Sequence, residues 1–235
     1  MIALKVDSSP AQHDTPVNLN VLTRVTLPTR RHSPGDTGDD HVDAELVAFE
    51  PPIGGEHVAL LIKNWDQSGT PLVRVHSECL TGDVFGSARC DCGPQLDEAI
   101  QLMKWQGGIV LYLRQEGRGI GLYNKLKAYR LQDEGLDTYE ANRALGLAED
   151  ARDYHVAGAM LRTLGVQRCR LLTNNPIKSE QLRASGIDVE QYGTGVHLTK
   201  ANRRYLEAKV LRGRHLIELP TTPARVGAVL EQEDS

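Results

Sequence analysis

The sequence has no long apolar run: nothing in its 235 residues approaches the roughly 18 consecutive hydrophobic positions that a membrane-spanning helix needs. Its first residues, Met1-Ile2-Ala3-Leu4-Lys5-Val6-Asp7, show no h-region and no cleavage site, so a cytoplasmic location is expected and export is not. A basic excess is missing too. The 27 Lys and Arg residues against 31 Asp and Glu leave a net charge of −4, a poor match for a nucleic-acid backbone. A small phosphorylated ligand needs only a few local arginines and stays open. There is no internal repeat, and a hydrophobic fraction of 40% suffices for a core, which excludes global disorder.

Cysteine is scarce and unevenly placed. Cys79, Cys90 and Cys92 fall within 14 residues, while Cys169 stands alone among the apolar residues of a strand pattern and reads as a buried small hydrophobe. Without an export signal, the cluster favours metal over disulfides. Three thiolates can close on one zinc ion and leave a position for water, as catalytic zinc sites do. His76 as a fourth ligand would make the site structural instead. In an extended segment, however, His76 and Cys79 point to opposite faces. Spacing alone leaves both readings, and a cluster without metal, open; the ligand count favours catalytic zinc.

The periodicity changes along the chain. Val21–Thr29, Glu45–Phe49, His57–Lys63 and Val73–His76 read as strands, with Arg30–Asp40 a long polar loop between the first two. After Cys92 the period becomes helical: Leu96, Ala99, Ile100 and Met103 mark one face, ending near Gly107 and Gly108. Gly108–Leu113 and Cys169–Leu172 read as buried strands. Leu122, Leu126 and Tyr129 mark a helix whose shared face predicts Tyr129 to be a core aromatic. Asp137 with Glu140 forms a capping box, Val156, Met160, Leu161 and Leu164 mark a further helix, and Asn175-Pro176 opens the next. The expected fold class is α/β: a mixed sheet with flanking helices and antiparallel strands in the N-terminal third. Residues 21–218 are expected to form a single domain, with a flexible extension at 1–20 and a flexible tail at 219–235.

Two polar loops follow buried strands. Arg114-Gln115-Glu116-Gly117-Arg118-Gly119-Ile120-Gly121 is not a P-loop, and Leu122 occupies the third glycine position of a dinucleotide fingerprint. Glycines beyond a strand end nevertheless let backbone approach a phosphate. Thr173-Asn174-Asn175-Pro176, with Lys178, stands in the same relation to its own strand. Asp150 and Arg152 lie between helices, where the simplest reading is solvated charge, with Asp153 capping the next helix.

Taken in order, Arg74-Val75-His76-Ser77-Glu78-Cys79-Leu80-Thr81-Gly82-Asp83, Arg89-Cys90-Asp91-Cys92-Gly93, Arg114–Arg118, Asp137–Asn142 and Leu171–Pro176 resemble the signature of GTP cyclohydrolase II. The resemblance runs from about Glu56 to Ile187. It implies conversion of GTP to 2,5-diamino-6-(5-phosphoribosylamino)pyrimidin-4-one with release of formate and pyrophosphate, the first step of riboflavin biosynthesis. It also implies one Zn²⁺ per chain, Mg²⁺ with the triphosphate, a homodimer, and neither nucleic acid nor membrane as partner.

Residue by residue, the resemblance makes Cys79, Cys90 and Cys92 the zinc ligands. It makes Arg74, Val75, His76, Ser77, Glu78, Gln95, Glu116, Gly117, Arg118, Thr138, Thr173 and Lys178 contacts of GTP. Asp150 matches a proton acceptor, Arg152 a nucleophile and Tyr129 an active-site tyrosine. An alternative role for Arg152 is a cation stabilising charge on the α-phosphate while water attacks. The polar insert at Arg30–Asp40 and the segment Glu190–Gly195, which replaces an expected proline-containing strand, depart from the family pattern. Three rival readings remain. A zinc nucleobase deaminase would carry H-x-E and P-C-x-x-C, which are missing here. A non-catalytic zinc and nucleotide-binding module, or a paralogue that stops at a formylated pyrimidine, would keep most of these residues.

Overall fold

A computed structural model describes residues 18–29, 41–62, 69–148, 150–211, 215–217 and 219. In chain order its elements are β1 (Asn20–Thr26), β2 (Ala44–Glu50), β3 (Val58–Ile62), β4 (Leu72–Ser77), α1 (Leu80–Asp83), α2 (Cys92–Gln106), β5 (Gly108–Leu113), α3 (Leu122–Asp133), α4 (Thr138–Ala144), α5 (His155–Thr163), β6 (Arg168–Leu172), α6 (Pro176–Ala184), β7 (Asp188–Tyr192) and α7 (Arg203–Leu211). Among the described residues the strands make one sheet in the order β1-β2-β3-β5-β4-β6-β7. The early strands pair antiparallel, whereas β4 runs parallel to β5 and β6, and β6 parallel to β7. The expected mixed α/β sheet is the one observed. No helix among the described residues is long and apolar enough to cross a membrane.

Strand chemistry explains the layout. The apolar β5 is covered on both faces and sits centrally. On one face Val73, Val75 and Leu111 pack with Met160 and Leu161 of α5 and Leu182 of α6. On the other, Ile62, Leu72 and Val110 meet Leu96, Ala99, Ile100 and Met103, the face of α2 read from its period. The capping box forms as expected: Asp137 accepts from the amides of Tyr139 and Glu140, and Glu140 accepts from the amide of Asp137. Asn175 caps α6 by accepting from the Ile177 amide at 3.0 Å, with Pro176 in the first turn.

One helix corrects its sequence reading. The inward face of α3 is not Leu122, Leu126 and Tyr129; Leu126 is 46% exposed, and the buried positions are Lys125 and Ala128. This helix covers a polar cleft instead of the sheet, so its inner face carries groups that answer charge. No helix was expected after Gly195, yet α7 forms there, with Thr199 accepting from the Asn202 amide ahead of it and Arg203 pairing with Glu207 one turn on. The expected insert at 30–40 and the tail from 220 lie outside the described residues, as do residues 1–17. Of the remaining N-terminal positions, Leu19 is buried in the core and Asn20 opens β1. The altered segment at 190–195 completes β7 and is then tied to α2: Glu98 accepts from the Thr194 hydroxyl at 2.8 Å and from the Gly195 amide at 2.8 Å.

Candidate active site

Four parallel strands end on the same side of the sheet, and chain direction across it reverses between β4 and β6. The chain leaves β4 towards β5 and leaves β6 towards β7, which opens a crevice between their C-terminal ends. Arg74 of β4 bridges that crevice, donating from Nη1 to the Leu172 carbonyl at 3.1 Å and from Nη2 to Gln95 Oε1 at 2.6 Å. Its Nε is buried and finds no partner among the described residues.

Just beyond β4 the three cysteines converge. Their sulfurs lie within 4.8 Å of one another, with Cys79 and Cys90 at 3.6 Å. Gly82 makes this approach possible: a Cβ there would stand 2.9 Å from Cys90 Sγ and 3.1 Å from Cys79 Sγ. His76 does not join them. Its Nε2 lies 3.1 Å from both carboxylate oxygens of Asp83, and its ring stacks on Tyr112 with centroids 5.6 Å apart. Asp83 also accepts from the Cys79 amide at 3.0 Å and the Tyr112 hydroxyl at 2.9 Å. A four-ligand site with His76 is therefore not formed, because Asp83 holds the imidazole elsewhere. Burial lowers the His76 pKa despite that carboxylate, favouring neutral imidazole.

Charge is arranged around the sulfurs. Lys125 Nζ lies 3.2 Å from Cys79 Sγ and 2.8 Å from Glu116 Oε1. Hydrogen bonds from Cys90 and Cys92, together with Lys125, hold Cys79 far below the usual thiol range. Against that negative sulfur Cys90 is pushed up to about 11 and Cys92 well above its ordinary value. Tyr129 stands beside the cluster with its hydroxyl 3.3 Å from Thr81 Oγ1. Burial raises its pKa, so it keeps its proton.

The loop after β5 forms a 3-10 turn over Glu116–Gly119. Gly117 and Arg118 both adopt left-handed backbone, at φ 62° and 61°. At Gly117 this suits glycine; Arg118 bears the cost of a conformation that side-chain-bearing residues rarely adopt. That conformation presents the Arg118 carbonyl to the Ala151 amide at 3.0 Å and lays its guanidinium 4.8 Å over the Tyr139 ring. Arg118 Nη1 is a second buried donor without a partner among the described residues. Asp150 and Arg152 follow directly and form a two-pronged pair, Nε to Oδ1 at 2.9 Å and Nη2 to Oδ2 at 2.5 Å. The two partners differ: the Asp150 side chain is 38% exposed, while that of Arg152 is 13% exposed and sunk in the cleft. Burial opposes its charge, yet Tyr154 and Asp150 outweigh burial and hold Arg152 above the ordinary guanidinium value.

A family model for GTP cyclohydrolase II matches residues 33–194, which takes in β2 to β7 and α1 to α6. The chain is 54% identical over 182 residues to a GTP cyclohydrolase-2 of Vibrio parahaemolyticus, covering 76% of this chain and 92% of the relative. It is 48% identical over 200 residues to a GTP cyclohydrolase-2 of Aliivibrio fischeri, covering 84% and 97% respectively. A Neisseria meningitidis GTP cyclohydrolase-2 is 50% identical over 174 residues, 73% of this chain and 88% of its own. The chain belongs to the GTP cyclohydrolase II family.

In this member of the family the cleft has two lobes. The first is lined by the three cysteines, Glu78, Glu116, Gly117, Arg118, Lys125, Tyr129 and Thr138. The second is lined by Arg74, His76, Gln95, Thr173, Lys178, Lys209 and His215. Ser77, Cys92, Arg152 and Tyr205 line both, so Arg152 stands at the junction. Asp150 reaches the cleft through its pair with Arg152. Val75 is the exception among the expected positions: its side chain is in the core, and only its carbonyl serves the cleft, accepting from Lys178 Nζ at 2.7 Å. Burial and the nearby cations Arg74, Arg152 and Lys209 press the Lys178 pKa well below its ordinary value.

The cleft residues not anticipated include Lys125, Tyr205, Lys209 and His215. Lys125 had a local signal, since it precedes Tyr129 by four residues on α3 and so shares its face. The other three had none, because α7 and residues 215–217 approach the cleft only in three dimensions.

Proposed function

We propose that the protein hydrolyses GTP to 2,5-diamino-6-(5-phosphoribosylamino)pyrimidin-4-one, formate and pyrophosphate, opening riboflavin biosynthesis, with zinc at the cysteines and Mg²⁺ on the triphosphate. The observation that carries this reading is the two-lobed cleft, with thiols at one end, cations at the other and Arg152 at the junction. Two hydrolytic events on one nucleotide need such a layout. A homodimer in the cytoplasm completes the family reading.

The cysteines fit zinc. Tetrahedral bonds of about 2.3 Å place sulfurs about 3.8 Å apart, close to the 3.6 Å between Cys79 and Cys90. Lys125 offsets part of the charge of three thiolates. Bound there, zinc would supply an activated water for opening the imidazole ring at C8 and for removing the formyl group.

The chain's own residues do the rest. Guanine lies in the first lobe, and the crowded cations of the second receive the triphosphate, which relieves the mutual repulsion around Lys178. The unpartnered Arg74 Nε and Arg118 Nη1 turn to the nucleotide. Arg152 remains a cation and stabilises charge growing on the α-phosphate. Its pairing with Asp150 supports this version, because attack by the guanidinium first requires loss of a proton that the pair retains. Tyr129, still protonated beside the cysteines, supplies or relays the proton that the amine needs as formate leaves.

Purified protein incubated with GTP, Mg²⁺ and Zn²⁺ and followed by mass spectrometry tests the reading. Formate, pyrophosphate and the diaminopyrimidine are expected together. Ammonia would indicate a deaminase, a persistent formylated pyrimidine the early-stopping alternative, and intact GTP a binding module.

A further inference from the structure

A chain of buried polar contacts runs from α7 into the nucleotide cleft. Lys209 Nζ donates to Asp91 Oδ1 at 2.7 Å, across 118 residues of sequence. Asp91 Oδ2 accepts from Gln95 Nε2 at 2.8 Å, and Gln95 Oε1 accepts from Arg74 Nη2 at 2.6 Å. The relative exposures are 8% for Lys209, 0% for Asp91, 7% for Gln95 and 4% for Arg74. The chain has one consistent polarity. A carboxylate only accepts and a guanidinium only donates, so the Gln95 amide can stand between them in a single orientation. Lys209 lies beyond the span matched by the family model, which ends at residue 194.

We propose that Lys209 is a positioning residue for nucleotide binding, acting through Asp91 and Gln95 on the guanidinium of Arg74. The proposal rests on the GTP reading above. A fully buried carboxylate demands a cation. While Lys209 satisfies Asp91, Gln95 turns its oxygen to Arg74, and Arg74 Nε, which has no partner among the described residues, is left to the ligand. Without the lysine, Arg74 is the cation nearest along the chain. It is drawn towards Asp91, displaces the amide, and withdraws its donors from the cleft. Docking of α7 thereby completes the phosphate-binding lobe.

The test compares zinc-loaded full-length wild type with Lys209→Met, Lys209→Arg, Asp91→Asn and the double variant Asp91→Asn/Lys209→Met. The readouts are Kd for a non-hydrolysable GTP analogue, KM and kcat for GTP, and zinc content. Lys209→Met is expected to raise Kd and KM about tenfold, within the range of couplings between members of one hydrogen-bond network, with a smaller effect on kcat and with zinc retained. Lys209→Arg should restore binding, and the double variant should bind better than Lys209→Met, because the unpaired carboxylate is gone. An unchanged Kd in Lys209→Met, a double variant as weak as the two single effects combined, or loss of zinc would each overturn the proposal. If Lys209→Met does not fold, Lys209→Gln, which keeps a donor for Asp91 without the charge, takes its place. Wild type that binds the analogue without turning over GTP would sink the catalytic reading, while the binding comparison would still decide the role of Lys209.

Discussion

The two lobes of the cleft are built by different physics. The cysteine lobe is local and steric: its thiols come from 14 residues, and Gly82 removes the side chain that would separate the sulfurs. The cationic lobe is remote and electrostatic. Arg74, Lys178 and Lys209 come from three distant elements and repel one another, which adds to burial in pressing the Lys178 pKa down. The thiol set of the first lobe is gathered by one short stretch of chain; the second lobe is held against its own repulsion by packing and by Asp91. A site for covalent rearrangement tolerates little displacement, whereas a site for a polyanion gains from stored repulsion that the ligand discharges.

The sharpest way to break this contrast is to remove one lobe. Cys90→Ser/Cys92→Ser should lose zinc, measured by metal analysis, and abolish formate release. If the lobes are separable, slow pyrophosphate release persists; Cys169→Ser, a change in the core, should keep zinc. Next in size is the junction. Arg152→Ala should slow pyrophosphate release by about 100-fold or more, as loss of a charge-stabilising donor does. Arg152→Lys should recover part of that rate if the residue acts as a cation, though without the planar fork.

A smaller effect should fall inside the cysteine lobe. Tyr129→Phe is expected to open the ring and release pyrophosphate yet accumulate the formylated pyrimidine, seen in the product ratio by chromatography. A wild-type product ratio with only lower stability would return Tyr129 to a packing role. The smallest effect concerns the cationic lobe and acidity. Burial and the cations Lys209, Arg152, Lys178 and Arg118 bring His215 down to about 3 from 6.5. Between those values the unfolded chain binds more protons than the folded one, so stability falls as pH drops from 6.5 towards 3. Replacing His215 by Gln should flatten that part of the curve in chemical denaturation at stepped pH.

Legibility followed contact distance. The α2 stripe, the Asp137 capping box and the Asn175 cap were readable because their partners lie within four residues. On α3 the same reasoning failed: Leu126 had the right period for a core, but the helix faces a cleft, and Lys125 took the inner position because Cys79 and Glu116 reward a buried cation. The pairing of Asp150 with Arg152 is local as well, yet the burial of the Arg152 side chain could not be read from three residues. That came from its place between the two lobes, alongside Ser77, Cys92 and Tyr205.

By itself, then, the sequence determined the thiol set, the alternation of strands and helices, and the capped ends, all of which arise from spacing, period and short-range hydrogen bonds. Only the tertiary structure decided that His76 belongs to Asp83 and not to the sulfurs, that Arg152 joins two lobes, and that α7 closes the cleft through Lys209 and Asp91. The physical reason is that a buried charge selects its partner by proximity in the fold. No local pattern at residue 209 can record a carboxylate 118 positions away.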